Sequence, residues 1–72
     1  MNLRQYHTVL DNLGFTNAEA ALYIRLLPLG TSAKDKRMQL LTDRRKKLLE
    51  EIHIKEKQLQ EIDCLRYELQ NE

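Results

Sequence analysis

Residues 33 to 70, AKDKRMQLLTDRRKKLLEEIHIKEKQLQEIDCLRYELQ, contain neither glycine nor proline. Nothing in them interrupts a helix, and at about 1.5 Å per residue one continuous helix would be roughly 57 Å long. With Met38 as heptad position a, the a and d sites are Met38, Leu41, Arg45, Leu48, Ile52, Lys55, Leu59, Ile62, Arg66 and Leu69, most of them apolar. A stripe kept at 3.5-residue spacing over about four and a half heptads predicts a coiled-coil interface, because a helix lying on a small globule has no need of that strict repeat. The alternative is a long amphipathic helix folded back on its own chain. The first 30 residues are too few to cover it. Leu40, Leu49, Ile54 and Leu65 lie off the seam and widen the apolar surface, giving the N-terminal helices somewhere to pack.

Charge along this helix is divided. Lys34 to Leu49 holds seven basic and two acidic residues, net +5, whereas Glu50 to Glu72 holds three basic and seven acidic, net −4. Parallel pairing sets like halves side by side, whereas antiparallel pairing sets each basic half beside an acidic one, so the pattern predicts an antiparallel homodimer. Each exposed ion pair contributes about 0 to 1 kcal/mol, so charge selects orientation and the apolar seam supplies most of the affinity.

Working back toward the N-terminus, Leu3, Tyr6, Leu10 and Leu13 recur at spacings of three and four, which puts them on one face of a first helix. Asn2 and Gln5 have capping-box spacing at its start, and Gly14 suits the left-handed residue that ends it. Phe15 and Thr16 make the turn. Thr16 and Glu19 repeat the capping box, followed by the apolar stripe Ala20, Tyr23, Ile24 and Leu27 of a second helix over about residues 17 to 27, which Pro28 stops. Leu29, Gly30 and Thr31 form a link, and Ser32 with Asp35 reads as the cap of the long helix.

A chain of 72 residues makes one small unit whose own core is marginal, so a disulfide, a metal or a partner chain is needed. One cysteine rules out an internal disulfide. His7 and His53 lie on different helices with no His or Cys at helical spacing, and zinc needs three or four converging ligands, so no metal or other cofactor is expected. Cys64 falls at heptad position f, outside the seam. No phosphate-binding glycine loop, nucleophile elbow or acid–base pair is present, and no enzymatic activity is expected. The run Arg44, Arg45, Lys46, Lys47 invites a nucleic-acid reading, but at about 100° per residue it wraps the helix, and Glu50 and Glu51 offer i,i+4 partners to Lys46 and Lys47. A net charge of +1, no apolar run of membrane-spanning length and no signal-peptide pattern after Met1 leave a cytoplasmic setting without membrane contact as the expectation.

Leu13, Gly14, Phe15, Thr16, Glu19, Tyr23, Ile24, Leu26 and Leu27, within LDNLGFTNAEAALYIRLL at residues 10 to 27, carry a family pattern. With the long helix ending IDCLRYEL, the chain resembles the C-terminal part of MerR-type bacterial transcriptional regulators. There a winged helix-turn-helix is followed by two helices bearing a motif like LGFS-x-x-E and then Y-L-x-L-L, and the long helix pairs antiparallel with its twin. Ala20 departs from the larger aliphatic residue usual in the family. The resemblance places the DNA-reading residues upstream of Met1 and assigns none here. Metal-sensing members resemble one another in a cysteine near the start of the long helix and a cysteine-bearing loop after it, which Ser32 and Gln70 to Glu72 do not supply.

The expected architecture is all-α: a two-helix segment at 1-30, similar to the end of a MerR-type DNA-binding domain, and a long dimerisation helix at 31-72. The expected function is the dimerisation module of a MerR-like transcription regulator, whose intact form binds promoter DNA as a dimer while this chain alone has no specific DNA binding. A stand-alone coiled-coil adaptor or decoy that pairs with a full-length homologous regulator is the alternative.

Overall fold

The computed structural model describes residues 1–72 and is helical throughout: α1 (Leu3–Asn12), α2 (Asn17–Leu26), a 3-10 segment (Leu27–Ala33) and α3 (Lys34–Gln70). Its radius of gyration is 18.9 Å, whereas a compact chain of this length would have about 11 Å. The molecule is 63 Å long, with a small three-element head at one end of the rod formed by α3.

Both short helices start where side chains satisfy the otherwise unpaired first-turn amides. The Asn2 side chain accepts from the Gln5 N–H at 2.9 Å while Gln5 accepts from the Asn2 N–H at 2.8 Å. Thr16 and Glu19 exchange the same two bonds at 3.1 and 2.9 Å. The Thr16 backbone N–H, and then its hydroxyl, hold the Glu19 carboxyl below its ordinary range, with smaller help from Lys47 and Arg44 of α3. Substituting such a cap costs about 1 kcal/mol of helix stability. Between the helices Gly14 has φ +83°, its N–H bonds the Asp11 carbonyl, and the Phe15 N–H reaches back to Leu10. That closure turns Phe15 under the head, where Leu10 (2% exposed), Phe15 and Ala33 are the three buried residues.

The second junction differs from expectation. α2 ends at Leu26, and Pro28, with no amide proton to continue the α-helix, sits in the first turn of the 3-10 segment instead of simply stopping the chain. Gly30, at φ 58° and ψ −132°, makes the bend. Ser32 does not cap α3. Its hydroxyl donates to the Leu29 carbonyl at 2.8 Å, and the N-cap of α3 is Ala33, which offers no side-chain acceptor. The start of α3 is held instead by Arg37, whose Nη2 donates to the Gly30 carbonyl at 2.7 Å and whose Nε reaches the Ala33 carbonyl.

α2 and the 3-10 segment pack on the first turns of α3, covering a face made of Arg37, Leu40, Leu41, Arg44 and Leu48, all half-buried. Arg44 locks the joint. Its Nε donates to the Leu13 carbonyl, a group left unpaired by the end of α1, and its Nη2 lies 3.7 Å from Glu51. The expected pairing of Lys46 and Lys47 with Glu50 and Glu51 is not formed; Glu51 lies instead 3.7 Å from Nη2 of Arg44, two turns back on the same helix.

A Cβ added at Gly14 would stand 2.6 Å from Arg44 Nη2, and its positive φ is unfavourable for any other residue. Gly14→Ala is therefore expected to cost about 1–2 kcal/mol from the backbone, plus a further share from displacing Arg44. In an Arg44→Ala background only the backbone share should persist. Urea denaturation of the four-member cycle tests this, and strictly additive losses would show that Arg44 and the Gly14 turn are not coupled.

Candidate dimerisation site

From Leu49 to Glu72 every residue of α3 is exposed. About six turns of bare helix would be unremarkable if the surface were polar, but Ile52 (52% exposed), Leu59 (61%), Ile62 (53%) and Leu69 (69%) lie along it. A water-facing stripe of large aliphatics on a helix with no cover of its own is the candidate site. Leu49, Ile54, Leu65 and Tyr67 add exposed apolar area beside it.

The seam residues divide at the edge of the head. Leu41 and Leu48 are half-buried against it, Met38 is 55% exposed and Arg45 is exposed. Beyond them Ile52, Lys55, Leu59, Ile62, Arg66 and Leu69 meet nothing from the rest of the chain. Of the off-seam leucines and isoleucines only Leu40 packs on the head, while Leu49, Ile54 and Leu65 stay outside it. The d positions Leu41 and Leu48 lie between the head face and the a positions, so they have one side committed and one side open. The structure brings the ten seam residues onto one side of one helix.

The basic run behaves as its helical spacing requires. Arg44 turns inward, and Arg45, Lys46 and Lys47 are exposed in different directions. Arg66 pairs with Asp63 of the same helix at 4.0 Å. Cys64 is a free, exposed thiol. No three His, Cys, Asp or Glu side chains converge to hold a metal ion, and no helix is long and apolar enough to cross a membrane.

Arg37 and Arg44 are the functional residues that sequence reasoning missed. A signal for them existed: they are seven residues apart, and Leu40, Leu41 and Leu48 sit beside them on the same side of the helix. A guanidinium embedded among leucines at that spacing calls for an acceptor, and the carbonyls at Leu13 and Gly30 are exposed by glycine turns. No protein-family model, curated protein or solved structure matches the chain.

The division of α3 should be visible in amide exchange. In dilute solution, amides beyond Leu49 should exchange faster than those from Leu40 to Leu48, since only the latter have a tertiary partner. Equal protection of both halves at the lowest concentrations would show that the distal half is stable without cover.

Proposed function

We propose that this chain is a dimerisation module in which two copies of α3 pair antiparallel along the seam Met38, Leu41, Arg45, Leu48, Ile52, Lys55, Leu59, Ile62, Arg66 and Leu69. The observation that carries the reading is the uncovered apolar stripe from Ile52 to Leu69. The +5 and −4 halves favour the antiparallel orientation. Taken with the LGFT-x-x-E block at Leu13 to Glu19, the same arrangement supports a role in a MerR-like regulator, where the paired helices set the spacing between two DNA-binding domains. The head is then the connector, and Arg44 keeps its angle to the rod.

Leu59 touches nothing in its own chain, whereas Leu48 faces both the head and the seam. Leu59→Glu should therefore abolish dimers, at about 2–5 kcal/mol from lost apolar burial and a buried unpaired charge, while the near-ultraviolet signal of the Tyr6 and Tyr23 rings, 6.1 Å apart, is kept. Leu48→Glu should lose both. Sedimentation that finds Leu59→Glu still dimeric at micromolar concentration would rule out this seam.

The chain by itself should bind duplex DNA only weakly and with strong salt dependence, since Arg37 and Arg44 are engaged within the chain and the other cations are spread around α3, apart from Arg4 on α1 and Arg25 on α2. A gel shift that depends on sequence and persists at about 0.15 M salt, where the Debye length is about 8 Å, would overturn that expectation.

A further inference from the structure

Three cations lie in the seam, and they limit how far the two helices can slide past each other. In an antiparallel coiled coil each a position faces a d position of the other chain, so only slides of whole heptads are allowed. Resting on the antiparallel dimer proposed above, we infer that the two copies adopt the register in which Ile52 faces the partner's Lys55, with Lys55 of each helix ion-paired to the partner's Glu51.

In that register Leu48 faces the partner's Leu59 and Met38 faces the partner's Leu69, each twice by symmetry. Arg45 faces the partner's Ile62, and Leu41 the partner's Arg66. Every seam cation therefore lies against an aliphatic side chain, over which its own methylene stem can pack while the charged end reaches the rim. The rim receives it. Beside the partner's Ile62 stands the partner's Asp63, within reach of Arg45, and beside the position facing Lys55 stands the partner's Glu51. Neither Arg45 nor Lys55 makes an ion pair in its own chain. Glu51 has capacity for a second cation, because only one oxygen is engaged, by Arg44 at 3.7 Å, and its side chain is 58% exposed. Arg66 already has Asp63 of its own helix.

The neighbouring registers fail for different reasons. One heptad in the first direction, Ile52 faces the partner's Leu48, which puts Lys55 directly against the partner's Arg45 with the partner's Arg44 alongside, twice over. Like charges in a water-poor seam are strongly disfavoured. That slide also leaves Leu69 beyond the partner's α3. One heptad in the other direction, Ile52 faces the partner's Ile62, and Arg45 and Lys55 come beside the partner's Gln70 and Gln58 instead of carboxylates. The inferred register alone sets a carboxylate beside both Arg45 and Lys55 and no cation against a cation. It also sets Lys34 to Lys47 beside the most acidic stretch of the partner, which contains Glu61, Asp63, Glu68 and Glu72.

A nitroxide on the single Cys64 of each protomer reads the register by pulsed electron resonance. The partner's Cys64 falls level with Asp43, an axial offset of about 32 Å, which with a lateral offset of about 20 Å gives a label separation of about 37 Å. The slide with Ile52 against the partner's Leu48 gives about 47 Å, the opposite slide about 29 Å, and a parallel pair about 20 Å. Sedimentation of the same labelled sample decides whether it is dimeric. A monomer sinks the dimer and the register together. A dimer at 47 or 29 Å overturns the register but keeps the antiparallel pair, and one at 20 Å overturns both register and orientation. Lys55→Glu gives a second reading by sign: roughly tenfold weaker association in the inferred register, where two cross-helix pairs become repulsions, and stronger association in the register that sets Lys55 against Arg45.

Discussion

The structure depends on a mismatch of scale between its two parts. Thirty-three residues fold into a head able to cover one face of α3 from Arg37 to Leu48, and α3 then continues to Gln70 with nothing beside it. Three buried residues are a small core for a chain of this length. A lone helix can be kept by propensity and end-capping, and those account for the absence of glycine and proline, but they do not account for Ile52, Leu59, Ile62 and Leu69 on one heptad stripe along its bare half. Those residues lower the free energy only when covered. The apolar stripe is the surface that the proposed dimer would cover, and the self-complementary charge division is the reason a second copy is proposed as its occupant.

The head and the rod meet through one polar joint set in an apolar surround. Gly14 takes a positive φ, which exposes the Leu13 carbonyl at the end of α1, and Arg44 fills that acceptor while its other nitrogen leans toward Glu51. Arginine suits the position because its planar fork can serve a carbonyl and a carboxylate at once. Arg37 repeats the arrangement one heptad earlier at the carbonyls of Gly30 and Ala33. Two arginines thus satisfy chain ends that capping side chains leave open, and each does so beside half-buried leucines of α3. The angle between head and rod is set by directional bonds, which a purely apolar contact would define less sharply.

Much of this was legible in the residues. Both capping boxes, the Gly14 turn and the uninterrupted α3 follow from local chemistry that needs no tertiary context. Helix α2 reads one residue long because the Pro28 effect is spread over a 3-10 segment instead of acting as an abrupt stop. Ser32 was misplaced as a cap because its hydroxyl has a nearer acceptor in the Leu29 carbonyl, a competition that spacing alone does not reveal. The joint at Arg44 lay furthest out of reach, since it links residues 31 positions apart and its acceptor is a backbone carbonyl with no sequence signature. The seam itself was readable as a heptad pattern, but the heptad pattern did not show that Leu41 and Leu48 would be shared with the head.

That sharing bears on how the proposed assembly would work. A seam made only of aliphatic residues would tolerate several slides of nearly equal burial, and the head would then meet the partner helix at several different places. Arg45, Lys55 and Arg66 lower the affinity such a seam could reach, because a cation buries less apolar area than leucine and must keep its charge at the rim. What they contribute is discrimination between slides. Because Leu41 and Leu48 are held on one side by the head and open on the other toward the seam, the slide that the cations select also determines which part of the partner helix lies beside each head. In a module that spaces two attached domains, the separation of those domains would be set by that slide, and a weaker seam with one register would serve the role better than a tighter seam with several.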